Sequence, residues 1–125
     1  MTETGNFLSI HHISFVISNL ENSMDFYGKV LGLNLDKSRP NLSFDGFWFN
    51  INKTQQIHLL LVDNYDPVER PEHGGRDRHA AFMVSDLEEI VMRLDNYNIS
   101  YTMSKSGRKA LFVRDPDGNT LELIQ

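Results

Sequence analysis

The chain has 125 residues, of which 40% are hydrophobic and 23% charged, with only four prolines. This is the composition of a self-folding globular protein, long enough for one domain or two tightly packed modules, with roughly two-thirds of the unfolded surface buried. Twelve Lys plus Arg against seventeen Asp plus Glu leave a net charge of −5, so no basic excess exists to neutralise a nucleic-acid backbone, and that class of partner is excluded. The absence of cysteine removes disulfides and thiolate zinc sites and leaves nitrogen and oxygen ligands for any metal. No apolar run approaches the ~20 residues that span a bilayer. The polar stretch Met1–Asn6 lacks the basic-then-apolar pattern of a leader. A cytoplasmic protein with no membrane partner is expected.

In chain order, the first element is a strand running into a helix, His12-Ile-Ser-Phe-Val-Ile-Ser-Asn-Leu-Glu21. The same pattern returns 67 residues later as His79-Ala-Ala-Phe-Met-Val-Ser-Asp-Leu-Glu88, which marks an internal duplication. In each copy Ser-x-x-Glu predicts a capping box at a helix start. The first helix is expected over residues 20–31, with Leu20, Met24, Tyr27 and Leu31 on its apolar stripe and Gly32 as the left-handed stop. Strands follow over 33–38, 44–51 and 56–62, separated by Arg39-Pro40-Asn41 and Asn52-Lys53-Thr54 turns. After a Pro- and Gly-bearing connector, 63–78, the second copy continues with a helix over 87–97 and strands over 100–103, 109–114 and 120–124. The Asp115-Pro-Asp-Gly-Asn119 turn joins the last two. The reading is a single α+β domain, 1–125, of paired βαβββ modules: module one about 8–62, module two about 79–125.

Strand parity sorts the side chains. Ile13, Phe15 and Ile17 share one face of the first strand, and His12 and Ser14 the other. His79 takes the place of His12 in the second copy. In the last strand of each module, His58 and Glu122 lie opposite the apolar faces of Ile57, Leu59 and Leu61 and of Leu121 and Leu123. If the sheets curl together, three imidazoles and one carboxylate converge. A buried carboxylate is costly unless paired or coordinated. Such a donor set suits one divalent ion, Fe(II), Ni(II), Co(II), Mn(II) or Zn(II), with positions open for substrate. His58 is either the fourth ligand or a polar neighbour of a three-ligand centre. His11 points by parity to the helix side, and His73 lies in the connector. Trp48 is assigned to the core. Arg76, Arg78 and Arg108 flank the approach. Arg76 and Arg108 are candidate substrate-binding residues, whose guanidinium groups would hold a small anionic molecule.

The stretches His12–Glu21, Phe26-Tyr-Gly-Lys-Val-Leu-Gly-Leu33, His79–Leu87 and Asp115-Pro-Asp-Gly-Asn-Thr-Leu-Glu-Leu123 resemble the vicinal oxygen chelate superfamily, the glyoxalase, bleomycin-resistance and dioxygenase group. The resemblance covers about residues 8–125. It implies an incomplete barrel around a divalent metal held by His12, His79 and Glu122, with His58 at the fourth ligand position, and a homodimer whose sites are often completed across subunits. It further implies a glyoxalase-I-like lyase or isomerase in which Glu122 is catalytic and moves the proton. Here His58 stands where similar bacterial members carry a carboxylate. Ser14 matches a hydroxyl of the fosfomycin-resistance thiol transferases and is the second catalytic candidate. Phe112 replaces the tyrosine of those enzymes and of the extradiol dioxygenases. Drug sequestration without metal, as in bleomycin resistance, is the alternative from a different class.

Overall fold

A computed structural model describes residues 5–125. Residues 1–4, part of the polar stretch read above for a leader, lie outside it. Module one contains β1 (His12–Ile17), α1 (Leu20–Met24), β2 (Asn34–Leu35), β3 (Gly46–Asn50) and β4 (Gln56–Leu61). Module two contains β5 (His79–Met83), α2 (Leu87–Asn96), β6 (Tyr101–Met103), β7 (Ala110–Arg114) and β8 (Thr120–Ile124). Each module forms an open four-stranded mixed sheet, in the orders β1-β4-β3-β2 and β5-β8-β7-β6. The first and last strands of a module, β1 with β4 and β5 with β8, run parallel, and the remaining pairs antiparallel. The α+β architecture of two βαβββ units is therefore as expected. No helix among the described residues is long and apolar enough to cross a membrane.

The differences are local. Neither helix starts on the serine of its Ser-x-x-Glu motif. The caps are Asn19, whose side chain accepts from the Asn22 N–H, and Asp86, which accepts from the Glu89 N–H. Asn and Asp cap as well as Ser and stand one residue nearer the helix. The first helix is α-helical only to Met24, and residues Asp25–Val30 continue it as a wider π turn. The Leu31 N–H reaches back to the Phe26 carbonyl at 2.9 Å, and the most buried side chains are Ser23, Phe26, Tyr27 and Val30, with Leu20, Met24 and Leu31 of the expected stripe packed partly buried beside them. Gly32 does adopt φ +75°. β2 is only two residues long because Asp36 Oδ1 accepts from both the N–H and the hydroxyl of Ser38, a local turn that competes with the sheet ladder.

The two modules share one core: Ile17, Tyr27, Phe49, Ile57 and Leu59 pack with Leu87, Leu94, Leu111, Leu121 and Leu123. Arg93 of α2 donates to the carbonyls of Lys29 and Val30, satisfying open acceptors at the end of the first helix. A polar weld lies nearby. Tyr27 Oη donates to Asp115 Oδ2 at 2.8 Å, and Asn119 Nδ2 donates both to that oxygen and to the Val16 carbonyl at 2.9 Å. Burial, and then the Asp115 charge, push the Tyr27 phenol well above its ordinary value. Burial also raises Asp115, against hydrogen bonds from Asn119 and Tyr27 that pull it down. Removing the hydroxyl leaves a buried carboxylate short of a donor, so Tyr27→Phe is expected to lower unfolding free energy by about 1–3 kcal/mol, read by urea denaturation.

Candidate functional site

The first and last strands of each module lie side by side, so the polar positions on their outer faces meet in pairs. In module one the register sets Ser14 against His58 and His12 against Gln56. In module two it sets Ala81 against Glu122 and His79 against Thr120. His12 and His58 are thereby stacked, with ring centroids 3.9 Å apart and planes 14° apart. His79 Nε2 lies 3.2 Å from Glu122 Oε1. Of these four side chains, His79 lines a cleft between the sheets, together with Gln56, Ile10, Asn52, Ala81 and Met83. Within one chain the four donors do not converge further: among the described residues no three His, Asp or Glu side chains gather in a group that could hold a metal.

The module-two pair has the chemistry of two ligands. His79 Nδ1 sits 2.8 Å from the Asp77 carbonyl. A carbonyl only accepts, so Nδ1 carries the hydrogen and Nε2 of the neutral ring is a bare electron pair. That electron pair faces a carboxylate oxygen. Two acceptors at this distance repel unless a proton or a cation lies between them. Two ligands about 2.1 Å from one ion at a tetrahedral angle would be about 3.4 Å apart, close to the spacing observed. The backbone hydrogen bond at Nδ1 is the usual support of a metal-binding imidazole. Asp77 is itself fixed. Although burial pushes its carboxyl up, hydrogen bonds from Arg114 and Arg70 hold it down at about 2, with N–O distances of 2.7 and 2.8 Å. Glu122 is almost fully buried, and its second oxygen accepts from Arg108 Nη2 at 3.3 Å.

The module-one pair is arranged differently. His58 lies between His12 on one face and Trp48 on the other, the latter ring 4.5 Å away and 12° from parallel. Imidazole electron pairs lie in the ring plane, and nearly parallel planes do not meet, so sharing one ion requires one ring to turn. His12 is exposed at the start of β1, whereas His58 is half-buried. Burial, then the neighbouring His12, His11 and Arg39, lower the His58 pKa from 6.5 to about 4. Between those values the unfolded chain binds a proton that the folded chain refuses. This contribution to stability is complete above pH 6.5 and declines as pH falls towards 4. The pH profile of thermal unfolding should therefore be flatter in this window for His58→Gln than for the wild type.

Of the remaining candidates, Ser14 is exposed beside the His12–His58 pair. Arg108 reaches the site through Glu122, Arg78 pairs with Asp66, and Arg76 is exposed at the end of a 3₁₀ turn, Gly74–Arg76. Two assignments need correction. Trp48 lies outside the shared core, because its face of β3 looks towards His58, on which its ring stacks. His11 precedes β1, so strand parity does not govern it, and its Nδ1 lies 2.9 Å from His12 Nδ1. His73 lies in the connector as expected, where it caps the 3₁₀ turn and packs edge-on against Phe112. The sequence did hold a signal for Trp48. It precedes His58 by ten residues, as Phe112 precedes Glu122, and Phe112 lies edge-on to His79 at 5.3 Å.

A family model described as the glyoxalase/bleomycin resistance protein/dioxygenase superfamily matches residues 9–123. The chain belongs to this superfamily. A lactoylglutathione lyase of Neisseria meningitidis is 33% identical over 125 residues, covering 91% of this chain and 88% of that protein. The crystal structure of a glyoxalase family protein from Enterococcus faecalis superimposes with a TM-score of 0.71 at 27% identity, over 95% of this chain and 98% of that one. TnmS3, an antibiotic binding protein from Streptomyces sp. CB03234, shares the fold with a TM-score of 0.69 at 22% identity, over 98% of each chain. Membership in the superfamily therefore fixes the fold and leaves the activity open.

Proposed function

We propose that this protein is a divalent-metal-dependent enzyme of the glyoxalase I type. In this reading its metal site joins His12 and His58 of one copy to His79 and Glu122 of a second. The observation that carries the reading is the facing pair of acceptors, His79 Nε2 and Glu122 Oε1, with Nδ1 already committed to the Asp77 carbonyl. When bound, a divalent ion would supply Lewis-acid stabilisation of negative charge developing on a substrate oxygen. Glu122, the one carboxylate among the four donors, is the group to take a proton from the substrate carbon and return it to the neighbouring one. Burial beside Arg108 keeps it dry and oriented. Arg108, more than half exposed, has further N–H groups to hold an anionic substituent. Exposed Phe7, Leu8, Ile10 and Met83 near the first strand of each module support a second copy as the covering surface.

The fosfomycin-type and extradiol readings lose support at Phe112, which packs against His79 and brings no hydroxyl to the site. Sequestration of a flat drug is favoured by one observation, the column of parallel rings formed by Trp48, His58 and His12, and by the antibiotic-binding fold neighbour. Elemental analysis of protein purified without chelator separates the readings. Enzyme chemistry requires a bound transition metal and metal-dependent isomerisation of hemithioacetals. A folded protein that stays metal-free at micromolar nickel, zinc and iron would overturn the reading in favour of sequestration.

A further inference from the structure

His58 is the donor whose hydrogen-bond partner was invisible in the sequence. Its Nε2 lies 2.9 Å from Gln56 Oε1, and Gln56 Nε2 lies 2.8 Å from both Asp36 Oδ2 and Asn50 Oδ1. One amide nitrogen with two hydrogens therefore serves two acceptors. The amide cannot be reversed, because Asp36 is an acceptor on both oxygens: Oδ1 already takes the N–H and the hydroxyl of Ser38 at 2.9 and 2.7 Å. A reversed Gln56 would set its oxygen against Oδ2. Its oxygen must therefore face His58. An oxygen only accepts, so His58 Nε2 carries the hydrogen, and a neutral imidazole has only one. The ring is confined between Trp48 and His12, and flipping it would put a carbon where Gln56 needs a donor.

We propose that Gln56, oriented by Asp36 and Asn50, is a positioning residue that holds His58 as the Nε2–H tautomer, so that Nδ1 is the electron pair His58 offers to the divalent ion. The identity of that ion's site rests on the function proposed above; the tautomer does not. Module two provides an internal comparison. The strand pairing that aligns Asn50 with Gln56 and Trp48 with His58 aligns Arg114 with Thr120 and Phe112 with Glu122. There Arg114 Nη1 donates to Thr120 Oγ1 at 2.6 Å, and among the described residues the side chains that hydrogen-bond Glu122 are His79 and Arg108, neither an amide. A carboxylate has no tautomer to select. The amide relay stands only in the module whose last strand ends its pair in an imidazole.

The test is a long-range proton–nitrogen NMR spectrum of the metal-free, nitrogen-15-labelled protein, with His58 identified by the loss of its signals in His58→Ala. The wild type should show His58 with Nε2 protonated and Nδ1 bare. Gln56→Leu should populate both tautomers, and Asp36→Asn, which allows the amide to reverse, should introduce the Nδ1–H form. Titration with Ni(II) should give an affinity about ten-fold weaker in Gln56→Leu than in the wild type, the effect typical of losing an outer-shell partner. An Nδ1–H tautomer in the wild type overturns the proposal without need of any variant. An unchanged tautomer or unchanged Ni(II) affinity in a folded Gln56→Leu protein also overturns it. Because the spectrum needs neither metal nor substrate, a wild type that binds no ion would sink the proposed function and leave the tautomer assignment standing.

Discussion

Replacing Glu122 by glutamine is expected to cut divalent-metal affinity by more than about 100-fold, beyond the range seen when outer-shell partners are lost, while leaving the metal-free protein at least as stable as the wild type. The two effects have opposite signs for one reason. With His79 neutral and its Nδ1 donating to the Asp77 carbonyl, Glu122 Oε1 and His79 Nε2 face each other at 3.2 Å as acceptors. Glutamine has nearly the same shape and can turn its amide N–H towards Nε2, converting a repulsive contact into a hydrogen bond worth about 1 kcal/mol. It also removes the charge and the oxygen electron pair a cation needs. A pair that serves only as a protonated ion pair makes the contrary prediction, in which stability falls and metal affinity is unaffected. Calorimetric titration with Ni(II) or Zn(II), with thermal unfolding in chelator, distinguishes the two. Arg108 loses its carboxylate partner in the variant, but its side chain is 60% exposed and water takes that place at little cost.

The fold was legible because duplication wrote the same strand and helix twice. His12 and His79 begin equivalent strands, and His58 and Glu122 occupy equivalent places in β4 and β8. Parity then placed each on the outer face of its own sheet. Parity says nothing of how far one sheet stands from the other, which is why four expected donors appear as two pairs within a single chain. Capping was misplaced by one residue because Ser18 and Ser85 each precede a better-situated Asn19 or Asp86. The π turn depends on packing of Phe26, Tyr27 and Val30 against both modules, a tertiary effect that helical periodicity does not contain. Gln56 and Asp36 escaped notice for a related reason. Their contact spans 20 residues and exists only once β2, β3 and β4 are in register. What could be read was the set of donors, whereas the hydrogen bonds that orient them belong to the folded sheet.

A mixed dimer separates a shared site from a self-contained one. Take one variant lacking the module-one pair, His12→Ala with His58→Ala, and another lacking the module-two pair, His79→Ala with Glu122→Gln. Alone, neither should retain a transition metal, because every site in either homodimer lacks two donors. If sites join module one of one copy to module two of the other, each mixed dimer contains one site with all four donors and one with none. Unfolding and refolding an equal mixture should pair chains at random, so that about half the dimers are mixed and about a quarter of the wild-type sites are restored. Metal content and isomerase activity should recover together to that level. No recovery from a mixture shown to exchange subunits would mean that each chain closes its own site, which requires its two sheets to draw together around the ion. The two outcomes thus assign the convergence of these four side chains either to association between copies or to movement within one.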